Sequence, residues 1–252
     1  MLFRSGLGPI GLWVNGVAIF NGLDGASWSA SRGADIGGGG VRPSSMQVSA
    51  ASGEGGPAAP GALMFALGIF GAQLGGAPVI ATGNKWTSPL GGTTASVRDS
   101  TGIVRNVEVF FSSSEAVGYR IPEGTATGLA TLSITANGVT TSSALNIVSS
   151  YPNVFQLTAD GLGKAFAIRN NGTGERAEAT ATLANDAWAA LPLDLGAPAD
   201  KVSLVLYVTG LGKSQSVTAT IDGIAAPVSV AGPEGAFPGI EIVRMEIPKQ
   251  LA

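Results

Sequence analysis

The sequence predicts an all-β protein made of two tandem β-sandwich modules, preceded by a small N-terminal β-hairpin segment. Three observations carry that prediction. Short alternating apolar and polar runs recur at close spacing, separated by Gly, Asn, Asp and Pro, which is the pattern of sandwiches rather than of sheets alternating with helices. Surface-helix formers are scarce: 12% of residues are charged and Gly occupies 38 positions, against a usual charged share of about 25%. Finally, three stretches of the first half return in the same order in the second.

Residues 1–28 hold apolar pieces around turn signals. In "LWVNGVAIFNGLDG", Asn15-Gly16 sits between two apolar runs and predicts a hairpin. Residues 29–45 are a Gly/Ser-rich linker with four consecutive glycines, and "SMQVSAAS" just beyond it reads as a short edge strand. The first module spans 46–150, with strands expected at 62–71, 93–98, 103–111, 116–121, 129–136 and 139–148. Asn137-Gly138, between "LATLSITA" and "VTTSSALNIV", is its clearest hairpin turn. The second module spans 151–252, with strands at 153–157, 164–169, 177–183, 187–193, 202–209, 215–221, 224–230 and 240–247. The Ala-rich run 175–191 also admits a helix, although Thr180 and Thr182 weigh against it. "GALMFALGIFGAQL" (61–74) is strongly apolar but shorter than the roughly 20 residues of a membrane span, and reads as a buried strand plus loop.

The internal repeat pairs "LMFALGIFGAQL" (63–74) with "SLVLYVTGLG" (203–212), and "LGGTTASVRDSTGI" (90–103) with "SQSVTATIDGIAAPVSVAG" (214–232). It also pairs "AVGYRIPEGTATG" (116–128) with "EIVRMEIPKQLA" (241–252). In both members of the last pair Pro follows the final apolar residue of the strand, where its missing N–H breaks no ladder bond.

Several kinds of chemistry find no footing. With no His and no Cys, Ser-His-Asp catalysis, thiol chemistry and disulfides are absent, as are the commonest zinc ligands. A net charge of −3 without a basic stripe argues against a nucleic-acid partner. The glycine-rich stretches "GLGPIG" (6–11), "GTGERA" (172–177) and "GLGKS" (210–214) lack the strand-to-helix setting or the first Gly that phosphate loops need, and read as turns. Glu108, Glu115 and Glu123 in one module, and Asp222, Glu234 and Glu241 in the other, are the candidates for a hydrolytic carboxylate pair. Asp99, Asp160 and Asp222 beside Gly or Ser read as turn residues. No metal or cofactor site is expected. Trp86, in the loop "GNKWTSPLGG", is the candidate ligand-binding residue, with a structural plug over the sandwich as the alternative.

Residues 46–252 resemble the uncharacterised C-terminal domain of acidobacterial secreted proteins of the Solibacter type. The stretches that carry this are "APGALMFALGIFGAQL", "SPLGGTTASVRD", "FFSSSEAVGYRIPEGTATGLATLSITANG", "YPNVFQLTADGLGKA" and "KVSLVLYVTGLG" with the segments that follow it. The resemblance implies export, a pair of immunoglobulin-like sandwiches of the IPT/TIG type, and no established activity. One departure is Ser114-Glu115, where the family carries a Pro-Gly turn. Residues 8–28 are similar to part of the YHYH domain; this chain has no His, so nothing of that domain's histidine motif carries over.

Three functions are compatible with these readings. The first is a non-catalytic spacer, adhesion or display module of a larger secreted or cell-surface bacterial protein, with no signal peptide visible in this chain. The second is an accessory module binding an extracellular glycan or protein ligand. The third is an acid-pair hydrolase, which requires a cleft flanked by two carboxylates.

Overall fold

The computed structural model describes residues 2–5, 8–12, 28–29, 34–35, 45–68, 70, 77–86, 88–213 and 216–251. The strand β1 (Leu2–Ser5) pairs with β2 (Gly8–Leu12), and β3 (Trp28–Ser29) pairs with β4 (Ala34–Asp35). The hairpin expected at Asn15-Gly16 lies outside the described residues.

The first large sheet contains β5 (Met46–Ser49), β6 (Leu63–Leu67), β7 (Val79–Ile80), β8 (Thr93–Arg98), β9 (Val104–Ser112), β10 (Ala116–Arg120), β11 (Gly128–Ala136) and β12 (Val139–Ile147). Its antiparallel order is β12-β11-β8-β9-β10-β6-β5, with β7 beside β9. The chain continues through β13 (Asn153–Val154), β14 (Ala165–Asn170), β15 (Glu175–Ala179), β16 (Ala181–Ala184), β17 (Ala187–Ala190), β18 (Lys201–Thr209), β19 (Ala219–Ile221), β20 (Ile224–Ala226), β21 (Val228–Pro233) and β22 (Glu241–Glu246). The second sheet runs β15-β14-β18-β22-β21, with β13 beside β18, while β16 with β17 and β19 with β20 form separate hairpins. The fold is all-β and antiparallel, as expected, and 175–191 is strand rather than helix.

Local chemistry explains these elements. Along β11, Ala130, Leu132, Ile134 and Ala136 are buried, while Thr131, Ser133 and Thr135 point away from the core, the period-two alternation of a half-buried strand. Asn137 and Gly138 both take positive φ, 45° and 82°, as the two-residue turn joining β11 to β12 requires. Asn185-Asp186 does the same between β16 and β17, with φ of 51° and 59°. This turn splits the Ala-rich run into a hairpin. At the Ser114-Glu115 departure, Ser113 Oγ accepts the N–H groups of Glu115 and Ala116 and closes the β9–β10 loop.

Strand β9 serves two layers. Its first four residues, Val104 to Val107, pair with β8, and Glu108, Val109, Phe111 and Ser112 pair with β10. Between the layers lies a core that includes Val97, Val109, Val117, Ile121, Leu132 and Ile147. Full burial of each such side chain stabilises the fold by about 1.5–3 kcal/mol. The two ends of the strand order meet through buried polar groups. The Tyr119 hydroxyl donates to Gln47 Oε1 at 2.7 Å, and Gln47 Nε2 donates to Ser143 Oγ of β12 at 2.9 Å. The segment between β5 and β6 adds a parallel bridge from Ala58 to Ile147, so backbone groups at this end of β12 are paired instead of left as a bare edge.

Asp99 ends β8. Its side chain is fully buried and receives the N–H groups of Thr101, Ile103 and Ala126, the Thr101 hydroxyl and the Arg105 guanidinium. These donors, the Thr101 hydroxyl foremost, hold its carboxyl far below the usual range against the opposing effect of burial.

The two sheets meet at a close junction. The Leu63 N–H donates to Thr209 Oγ1 at 2.9 Å, and the Thr209 hydroxyl donates onward to the Gly239 carbonyl at 2.7 Å. Gln156 N–H reaches the Ala51 carbonyl at 3.1 Å, and Ser52 Oγ donates to Asn153 Oδ1 at 3.0 Å. The segment joining the sheets lies against Gly210 and Gly212. A Cβ would stand 2.4 Å from the Tyr151 carbonyl oxygen at the first and 2.1 Å from that of Ser149 at the second. Both glycines also have positive φ, so a side chain is excluded on two counts.

Tyr119→Phe leaves Gln47 Oε1 buried without its donor, and a loss of about 1–3 kcal/mol in urea unfolding is expected. Unchanged stability would show that this closure carries no weight. For Asp99, a depressed folded pKa means that its stabilisation is present above the unfolded carboxylate value of about 3.9 and fades as pH falls toward the folded value. Asp99→Asn should therefore destabilise at neutral pH, with a gap from wild type that closes in acid; a pH-independent gap would contradict this.

Candidate binding surface and carboxylate placement

The outward face of β8, β9, β11 and β12 carries two transverse rows of small polar side chains. Strand register aligns Ser142, Ser133, Ser96 and Asn106 in one row. It aligns Thr140, Thr135 and Thr94 in the next. Within the rows, the hydroxyls of Ser133 and Ser142 lie 3.1 Å apart and those of Thr135 and Thr140 2.8 Å apart. The inward neighbours are the buried Ala95, Val97, Leu132 and Ile134, so alternation places the side chains of both rows on this face. Over β8, β9 and β11 the surface is concave, with a groove of about 460 Å3 walled additionally by Glu108 and by Ser88 of the preceding loop.

Trp86 stands close in sequence to this groove, two residues before Ser88. Its indole N–H donates to the Gly83 carbonyl at 3.2 Å, and its half-buried ring packs on Phe110 with centroids 5.1 Å apart and planes tilted by 44°. The seat exists because of a β-bulge. Gly118 faces Phe111 and Tyr119 faces Val109, leaving Phe110 without a partner on β10. Phe110 and Phe111 both meet Phe65 edge-on, at 5.4 and 5.7 Å. Gly118 lies beneath, where a Cβ would come within 2.5 Å of Phe110 and 2.8 Å of Phe65. The residue singled out in the sequence is thus an anchored aromatic on the outer sheet face.

The acidic residues redistribute in space. Arg120 bridges two of them, Glu108 at 2.7 Å and Glu123 at 3.1 Å. Glu123 and Glu241, from different sequence clusters, line a second groove of about 280 Å3 between the sheets, together with Arg120 and the exposed Phe237. Burial pushes the Glu241 carboxyl above its ordinary value; the N–H groups of Leu211 and Gly210 oppose the shift, and the charge of Glu123 adds to it. The Leu211 N–H lies 2.8 Å from Glu241 Oε2. Two carboxylates thus line this groove, Glu123 held by Arg120 and Glu241 accepting from the Leu211 turn. Glu115 lies in the β9–β10 loop, Glu234 accepts the Ala236 N–H at 2.8 Å, and Asp222 forms the β19–β20 turn with Gly223. Among the described residues no cluster of three or more acidic side chains suits a metal ion. No described helix is long and apolar enough to cross a membrane.

The structure also exposes aromatics that sequence reading did not single out as sites. Trp188 of β17 lies opposite Leu183 of β16, and both are exposed. The side chains of Trp13 and Trp28 lie outside the described residues.

Because the Glu241 pKa is raised in the folded chain, its ionisation disfavours folding as pH rises through the folded value. Glu241→Gln keeps an acceptor for Leu211 and removes the charge, so it should stabilise the protein at pH 7 relative to wild type and have less effect at pH 4. Thermal unfolding at both pH values checks this, and a destabilised variant at pH 7 would count against it. No protein-family model matches the chain, and no curated protein matches it either.

Proposed function

We propose that residues 46–252 are two tandem immunoglobulin-like sandwiches, 46–150 and 151–252, acting as a rigid, non-catalytic spacer, adhesion or display unit of a larger secreted protein. Equivalent strand orders support the repeat. The first sheet contains β5-β6-β10-β9, and the second β14-β18-β22-β21, all antiparallel. The start of β10 pairs with the end of β6, as the start of β22 pairs with the end of β18. The Ile-Pro ends match as well. Ile121 N–H donates to the Ala62 carbonyl and Ile247 N–H to the Val202 carbonyl, at 2.9 and 2.8 Å. The proline after each has no N–H to leave unpaired.

The observation that carries the spacer reading is the junction at Thr209. It is built from backbone groups, a buried hydroxyl and glycines in close approach, a packing that resists bending because small displacements break short contacts. Most carboxylates with partners hold strands or loops together: Glu178 by Arg169 and Arg176, Glu175 by Arg244, Glu108 and Glu123 by Arg120, and Asp99 by Arg105. A second reading, an accessory module that binds an extracellular ligand, is favoured by the groove over β8, β9 and β11.

The chain has no cysteine, so spin labels at Leu129→Cys and Val230→Cys report one distance between the sheets. Both positions are exposed, at 71% and 44%. A narrow distance distribution is expected, and a broad one in the otherwise native chain would overturn the rigid spacer. Thr209→Val leaves Leu63 N–H and the Gly239 carbonyl without their shared partner. It should broaden the distribution and lower stability by about 1–3 kcal/mol.

A further inference from the structure

We propose that the groove over β8, β9 and β11 is a binding site for an extended, neutral polysaccharide chain. This rests on the second, ligand-binding reading and gives it a place and a ligand class. The lining is chemically suited to polyols. Thr94, Ser96, Ser133 and Thr135 present hydroxyls, and Asn106 an amide. Each hydroxyl can both donate and accept, and the amide carries two donors and an acceptor. A sugar hydroxyl needs that mixture on both sides of its own donor and acceptor.

Charge selects within the polyols. Among the described lining residues the one ionic side chain is Glu108, held at 2.7 Å by Arg120. Among these same residues a phosphorylated or polyanionic ligand would find no cation and would meet this carboxylate. An apolar partner fits no better, since the side chains facing the groove are polar. The volume of about 460 Å3 lies within the roughly 300–1,000 Å3 of small-ligand sites, and the groove is open, so a chain can run through it.

Preorganisation favours binding over mere hydration. The hydroxyls stand on strands with fixed register, and the Ser133–Ser142 and Thr135–Thr140 pairs restrict hydroxyl rotation. Less freedom is then lost when a ligand docks. Trp86, seated on Phe110, adds an apolar surface on the loop that contributes Ser88 to the groove. Glu108 and Phe110 are outward-facing residues of the same strand on either side of the buried Val109. The aromatic seat therefore continues the line of the groove along β9. The C–H face of a sugar ring is the natural partner for such a surface.

The test uses the full chain against insoluble cellulose, chitin and xylan, with alginate as the polyanionic comparison, followed by calorimetric titration with soluble oligosaccharides of whichever polymer binds. Saturable binding to a neutral polymer is expected, weakened about tenfold or more by Asn106→Ala, by Ser96→Arg and by Trp86→Ala. Phe237→Ala, in the other groove, should leave it unchanged. The substituted groove residues face outward, and matching circular dichroism and unfolding midpoints verify their folding; Asn106→Ala serves if Ser96→Arg is destabilised. Binding that survives all the groove variants would overturn this site while leaving the ligand-binding reading intact. Binding to alginate alone would overturn the neutral assignment. Absence of binding to every polymer would overturn the proposal and leave the spacer reading, which the distance measurement tests separately.

Discussion

Strand β9 has to pair with β8 along its first part and with β10 along its second, and this constraint organises both the first sheet and its outer surface. A continuous strand shared by two layers must change partners, and the bulge at Phe110 lies in its second part. Because the bulge leaves Phe110 without a partner on β10, two consecutive phenylalanines reach Phe65. They can do so only over a residue without a side chain, Gly118. Trp86 then has a ring to rest on. Upstream on the same strand, Asn106 and Glu108 wall the polar groove. The aromatic seat and the groove are neighbouring consequences of one strand's divided pairing.

The junction follows a different logic, close approach of small groups. Ala59 and Ala62 are almost completely buried, and Gly210, Gly212 and Gly239 come against backbone or side chains with no room for a Cβ. At such an interface the hydrogen bonds lose their partners if the sheets separate. Thr209 is central because its one hydroxyl accepts from β6 and donates to the loop before β22. The high glycine and alanine content, which first marks this sequence as poor in surface helices, thus has a second role in tertiary packing.

The candidate sites were legible in unequal measure. Trp86 stood out as a loop aromatic, but nothing local reveals that Phe110 lies under it, because that contact depends on a bulge. Glu108, Glu123 and Glu241 were visible as acids in two sequence clusters. Arg120 joins the first two, and the meeting of the sheets brings Glu123 and Glu241 to one groove. Asp99 has the sequence setting of an ordinary turn residue. Its burial was not legible, since two of its donors, on Arg105 and Ala126, come from beyond the turn.

By itself the sequence determined the strands and their punctuation. Period-two alternation assigns each side chain to a face, Asn137-Gly138 supplies the positive φ of a tight hairpin, and Ile-Pro ends a strand at its last useful N–H. These are properties of a few adjacent residues, so they survive without knowledge of the rest of the chain. Only the tertiary structure decided which strands became neighbours, where β9 bulged, and how closely the two sheets approached. Groove, aromatic seat and junction each need register between segments tens of residues apart, and register is settled by the packing of whole faces.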